Sequence, residues 1–193
     1  GLAYSVFKRT REKPERDEYV FAFRGTEGFT GPGGKDWWYG NVSYAQQERS
    51  VPIVQHFVDQ HPDDEIVLVG HSLGGGIAFH NSLRQLRRRL YVFNTSPIYY
   101  PPKGYDPKSA TSERWSISES GEVLKAIRFI FFEARRESET FNCYNKGRPI
   151  YEHSILRIAM PPPTCTCSTG HVSRSRSKAS GPLETCPWSR IRR

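Results

Sequence analysis

The five residues Gly70-His71-Ser72-Leu73-Gly74 constrain this chain more than any other stretch. They form a G-x-S-x-G pattern directly after an apolar run, Ile66-Val67-Leu68-Val69, that reads as a buried strand. Just beyond, Leu73-Gly74-Gly75-Gly76-Ile77-Ala78-Phe79 opens a helix, predicted over residues 73–88. A strand that turns straight into a helix leaves no room for side chains at the flanking glycines. It forces the serine into a strained backbone conformation and lifts its hydroxyl above the sheet edge. The helix points its N-terminus, with unpaired N–H groups, toward the same place, which favours negative charge there. Ser72 is therefore the candidate nucleophile. A plain turn with a capping serine is the competing reading, and the strand before the motif argues against it.

The rest of the chain alternates strands and helices. Residues 2–9 and 18–24 read as strands joined by a charged hairpin at 10–17. The second is almost continuously apolar over 19–23, which places it inside a sheet. Residues 25–41 form a loop rich in glycine that carries Trp37 and Trp38. Residues 44–60 are predicted helical, with Ile53, Val54, Phe57 and Val58 on one face. Pro52 must kink that helix or begin its second part. Strands follow at 65–69, 90–94 and 115–118, separated by the elbow helix and a proline-bearing loop at 96–112. Residues 122–137 form an amphipathic helix through Val123, Ile127, Ile130 and Phe131. A polar stretch with extended pairing is expected at 142–148, then a short apolar segment at 150–159. The alternation defines an α/β fold with a mainly parallel sheet. In such sheets ligands bind beyond the carboxyl ends of the strands. Residues 23–26, 70–73 and 118–122 all fall just after predicted strands, so they should gather on one edge.

The 193 residues are read as one domain over 1–160 and an irregular, basic, Ser- and Cys-containing tail over 161–193. Of the net charge of +8, +5 comes from the tail, where Arg174, Arg176, Lys178, Arg190, Arg192 and Arg193 face only Glu184. The remaining +3 over the body excludes a nucleic-acid surface there. Of the four cysteines, Cys165, Cys167 and Cys186 sit in the tail with His171, at a spacing that fits no common zinc pattern. Cys143 is the fourth. No run of about 18 apolar residues exists to span a bilayer, and no signal peptide is visible. The chain opens at Gly1, already strand-like from Leu2, so upstream sequence is expected to be missing.

A serine hydroxyl needs a base within hydrogen-bond reach. His80, His153 and His171 follow Ser72. His80 lies two turns along the elbow helix, away from the sheet edge, and His171 is in the tail. His153 is therefore the candidate base. The acid that orients it should follow a strand beyond the serine. Glu122 and Glu119 both qualify, with Glu122 preferred because Gly121 turns the chain just before it, and Asp106 is a third candidate. An oxyanion hole needs two donors. The backbone N–H of Leu73 is one, and Thr26, after the strand at 18–24, supplies the other.

Phe23-Arg24-Gly25-Thr26, a tryptophan about a dozen residues on, and Gly70-His71-Ser72-Leu73-Gly74-Gly75 together resemble the class 3 lipases, the fungal-type triacylglycerol lipases of the α/β-hydrolase superfamily. The resemblance covers roughly residues 2–160 and implies an α/β-hydrolase-like fold. It implies a serine hydrolase of lipid-like or small esters with the triad Ser72, Glu122 and His153. Thr26 then matches the family's oxyanion residue, and the loop 27–39, with Trp37, matches a lid that touches lipid interfaces transiently. No metal or organic cofactor is implied. Two departures stand out. The family's acid is usually Asp, and the strand after the elbow helix usually ends in a Gly-Ser-Pro-like turn where this chain has Asn94-Thr95-Ser96-Pro97. The same machinery serves phospholipases, thioesterases and acyltransferases, and a catalytically inactive lipase-like binding module would keep the same scaffold.

Overall fold

The computed structural model describes residues 2–12, 15–25, 41–85, 88–96, 102–103, 113–119, 121, 137–142, 166–171 and 180–181. The N-terminal hairpin pairs β1 (Tyr4–Arg9) antiparallel with β2 (Glu18–Phe23). Helix α1 (Asn41–Gln60), β3 (Glu65–His71), α2 (Leu73–Ser82) and β4 (Arg89–Phe93) follow. Then come β5 (Arg114–Glu119), β6 (Glu137–Asn142), β7 (Thr166–His171) and β8 (Ser180–Gly181). All eight strands form one sheet in the order β1-β2-β3-β4-β5-β6-β7-β8. From β2 to β6 every neighbour is parallel. The α/β fold with a mainly parallel sheet, expected from the alternation of periods, is the fold observed. Its consequence for function is directional: the carboxyl ends of β2, β3, β4, β5 and β6 lie on one edge.

One sheet face carries the core. Phe21, Leu68 and Leu90 sit in one row across β2, β3 and β4. They pack with Val54 and Val58 of α1 and with Ile77 and Ala78 of α2. Ile53 and Phe57 close over the same cluster, so the apolar face read along 53–58 is the one that docks. All ten residues of α2 are buried. A helix apolar nearly all round belongs inside a protein, and its few polar groups find partners. Asn81 Nδ2 donates to Ser50 Oγ of α1 at 2.6 Å and to the Ile77 carbonyl at 2.9 Å.

The structure revises several boundaries. Helix α1 begins at Asn41 rather than 44 and runs on through Pro52. The ring's fixed φ is compatible with a helix, and the docked face downstream of it outweighs the one lost hydrogen bond. Helix α2 ends at Ser82, not near 88, with Leu83 closing the last turn. The chain must reverse in time for Arg89 to pair with Val67, and the buried Arg114 of β5 donates to the Ser82 carbonyl at the helix end. Glu137, read as the end of a helix, instead starts β6, which continues through Asn142. The stretch 161–193, expected to be irregular, contains β7 and β8, so that reading is corrected over 166–171 and 180–181. Thr166, Cys167, Ser168 and Thr169 are small or β-branched, and antiparallel pairing with β6 satisfies their backbone groups without an apolar face. The body of the helix expected over 122–137, the loop 27–39, Asp106, Cys143, Cys165 and Cys186 lie outside the described residues.

Candidate active site

Ser72 occupies the single residue between β3 and α2, with φ 55 and ψ −125. This is backbone territory that non-glycine residues enter only under constraint, at a cost of about 1–3 kcal/mol. The constraint is steric and comes from the flanking glycines. A Cβ on Gly70 would fall onto the backbone of Gly74, and one on Gly74 would fall onto the Phe23 carbonyl of β2. Strand β3, strand β2 and the first turn of α2 therefore meet at a distance only glycine permits. Both backbone groups of Ser72 are held as well. Its N–H donates to the Phe93 carbonyl at 3.1 Å, and its carbonyl accepts from Ser96 N–H at 2.8 Å and Gly76 N–H at 3.2 Å. The side chain is left over: Ser72 Oγ is buried, with the residue 3% exposed, and has no hydrogen-bond partner among the described residues. A buried hydroxyl without a partner costs free energy, and here it sits at the N-terminal end of α2.

The sequence-derived site residues distribute as follows. Leu73 is the first residue of α2 and 6% exposed. Its N–H is one of those a helix leaves without an internal partner. Gly25 lies against the nucleophile: a Cβ there would sit 3.5 Å from Ser72 Cβ and 2.9 Å from the His71 carbonyl. The chain after β2 thus reaches Ser72 one residue before Thr26, which itself lies outside the described residues, as do Glu122 and His153. Glu119, the alternative acid, is the last residue of β5 and 1% exposed. Gly121 turns the chain just beyond it with φ 89. His80, set aside as a base, is fully buried with Nε2 3.3 Å from Glu48 Oε1 of α1. Burial, with the Arg84 guanidinium adding to it, pushes its pKa down to about 4. It is a packing histidine behind the elbow. No group of three or more potential metal ligands occurs among the described residues.

Sequence reasoning noted Asn94 only as a departure from a Gly-Ser-Pro-like turn. Among the described residues it is, with Ser72, one of two non-glycine residues with positive φ, at 39. It is fully buried, and Oδ1 accepts the Glu119 N–H at 3.0 Å. The signal was available: asparagine is the residue, after glycine, that tolerates the left-handed region.

A mainly parallel sheet with its strand ends gathered on one edge and a strained serine at a strand-to-helix elbow make up an α/β-hydrolase-like fold. Residues 36–92 match the family Lipase (class 3). The matched stretch contains α1, β3, the elbow, α2 and β4 up to Val92, and over it the resemblance read from the sequence is borne out. Among solved structures the chain is similar to a lipase from Rhizopus microsporus var. chinensis, with 17% identity and TM-score 0.45, covering 65% of this chain and 55% of that one. It is similar to a fungal lipase with 15% identity and TM-score 0.45, covering 72% and 64%. It is also similar to a lipase from Yarrowia lipolytica, with 13% identity and TM-score 0.38, covering 64% and 56%. The chain therefore spans between 55% and 64% of the lengths of these lipases. No curated protein matches it in sequence.

Proposed function

We propose that the protein is a serine hydrolase of carboxylic esters, acting on lipid-like substrates through an acyl-enzyme. The observation that carries this reading is Ser72: strained, clamped through both backbone groups, and with a buried Oγ that has no partner among the described residues, at a helix N-terminus. Strain of this kind persists only where the surroundings impose it, and it clusters at functional sites. In the proposed reaction Ser72 Oγ attacks the acyl carbonyl carbon while His153 takes the hydroxyl proton. Leu73 N–H and Thr26 hold the oxyanion. Collapse of the tetrahedral adduct breaks the ester C–O bond, and His153 returns the proton to the departing alcohol. Water, deprotonated by His153, then attacks the acyl carbon; the bond to Ser72 Oγ breaks, His153 returns its proton to that oxygen, and the carboxylic acid leaves.

Chain order supports these roles. Glu119 and Glu122 come at and after the end of β5, and His153 follows β6. Asn142 and Thr166, which bracket His153 in the sequence, stand opposite each other in the β6–β7 pair at the carboxyl end of β6, the end of the sheet that bears Ser72. Glu122 is the proposed acid, orienting the imidazole and stabilising its protonated form. A specific observation favours a second reading, in which Glu119 does this: its side chain is 1% exposed at the end of β5. The two are separated by hydrolysis of p-nitrophenyl esters over a series of acyl-chain lengths. Turnover is expected to fall further in Glu122→Gln than in Glu119→Gln, and the chain-length profile to favour longer acyl groups. A harsher Glu119→Gln transfers the role to Glu119, and a protein inert on every ester leaves the scaffold a binding module.

A further inference from the structure

The four residues Phe93-Asn94-Thr95-Ser96 form a yoke around the nucleophile. The Phe93 carbonyl accepts the Ser72 N–H, and Ser96 N–H donates to the Ser72 carbonyl. Thr95 lies so close to the first turn of α2 that a Cβ on Gly75 would come within 2.7 Å of Thr95 Oγ1. Asn94 is the member that faces the other way. Its own N–H donates to the Ile117 carbonyl at 2.9 Å, the last regular bond between β4 and β5. Phe93 pairs with Ile117. In a parallel ladder the next donor along β5 is therefore Glu119 N–H, and its acceptor would be the backbone carbonyl of residue 94. The positive φ at Asn94 turns the main chain out of the ladder toward Ser96. The side-chain Oδ1 takes the vacated place and accepts the Glu119 N–H at 3.0 Å. Asparagine does two jobs here that glycine could not combine. It tolerates the left-handed turn, and it supplies an amide oxygen that stands in for a backbone carbonyl.

We propose that Asn94 is a positioning residue, which fixes the turn after β5 against the strand that carries Ser72 and thereby sets the acid-to-imidazole geometry. This rests on the ester-hydrolase reading above and extends it. Glu119 ends β5, and Glu122 follows Gly121 in the sequence. A bond at the start of that turn acts on either acid. With Oδ1 removed, the first residue of the turn loses its tie to the nucleophile strand, and the acid supports the imidazolium less well.

The test compares Asn94→Gly and Asn94→Asp in the full chain. Glycine keeps the positive φ and removes the acceptor, whereas aspartate keeps both. In Asn94→Gly, kcat/KM for a p-nitrophenyl ester is expected to fall by about tenfold or more. The acid limb of its pH profile should move down by about half a unit or more, because a less well-held acid leaves a less basic histidine. Asn94→Asp should recover most of the rate, with the limb at or above its native position. A merely structural role would lower the melting temperature of Asn94→Gly and leave the acid limb where it is. That outcome, with hydrolysis still dependent on Ser72, overturns the assignment of Asn94 alone. Loss of the rate in Asn94→Asp with an unmoved limb overturns it as well. A native chain whose hydrolysis survives Ser72→Ala overturns the underlying reading together with it.

Discussion

At the scale of single residues, the account turns on the backbone of Ser72. Its φ of 55 and ψ of −125 are imposed by the fold, so the conformational cost is carried in the folded state whatever the side chain. Alanine keeps that cost and glycine removes it. Ser72→Gly is therefore expected to be more stable than Ser72→Ala by about 1 kcal/mol, or about 3 °C in melting temperature, while neither hydrolyses esters. Equal melting temperatures for the two would show that the turn is not strained. The glycines make the converse case. Gly70→Ala and Gly74→Ala each place a methyl group onto backbone, so each should cost about 3 kcal/mol or more, read as a collapse of the urea midpoint. A midpoint close to that of the native protein would mean that β2, β3 and α2 separate easily. These residues were legible in the sequence because the motif is a steric requirement: the pattern Gly70-His71-Ser72-Leu73-Gly74 states which positions have no room. Asn94 was less legible. Its function depends on where Glu119 lies, and no local pattern connects residues 25 positions apart.

Among the elements, those with a clear period were readable and those set by distant partners were not. The apolar face of α1 and the apolar cores of β2, β3 and β4 follow from side-chain spacing. The end of α2 does not, because Arg114 from β5 reaches the carbonyl of its last residue, Ser82. Strands β6 and β7 pair through their backbones and are mostly polar in sequence, so apolar periodicity could not reveal them. The α1–α2 contact adds a pH dependence. His80 on α2 is buried beside Glu48 of α1 and Arg84 of its own segment. Its pKa is near 4 in the fold against 6.5 unfolded. Above pH 6.5 neither state binds the proton, and the contribution is fully present. As the pH falls from 6.5 toward 4, the unfolded chain alone takes up the proton, and about 3 kcal/mol of stability is lost. Urea midpoints measured between pH 7.5 and pH 4.5 should therefore fall more steeply for the native protein than for His80→Gln. Parallel curves would remove His80 from the account.

At the scale of the whole molecule, the two edges of the sheet are built differently. The edge at the amino ends of β2, β3 and β4 is stitched by charge: Arg89 reaches Glu18 at 2.6 Å and Glu65 at 2.7 Å, and Arg11 reaches Glu18 at 2.8 Å. These groups are partly exposed, so each pair contributes little by itself, but they hold the strand starts in register. The opposite edge holds Gly25, Ser72, Asn94 and Glu119, where glycines and an asparagine allow sharp turns and Asn94 ties the end of β5 to the end of β4. Among the described residues no helix is long and apolar enough to cross a membrane. The central claim is that Ser72 is an activated nucleophile, and covalent labelling tests it most directly. The full chain is treated with a fluorophosphonate, and the modified peptide is mapped by mass spectrometry. The account predicts a single adduct on Ser72, absent from Ser72→Ala at unchanged melting temperature. A folded native protein that takes no adduct, or takes it at another serine, would contradict it.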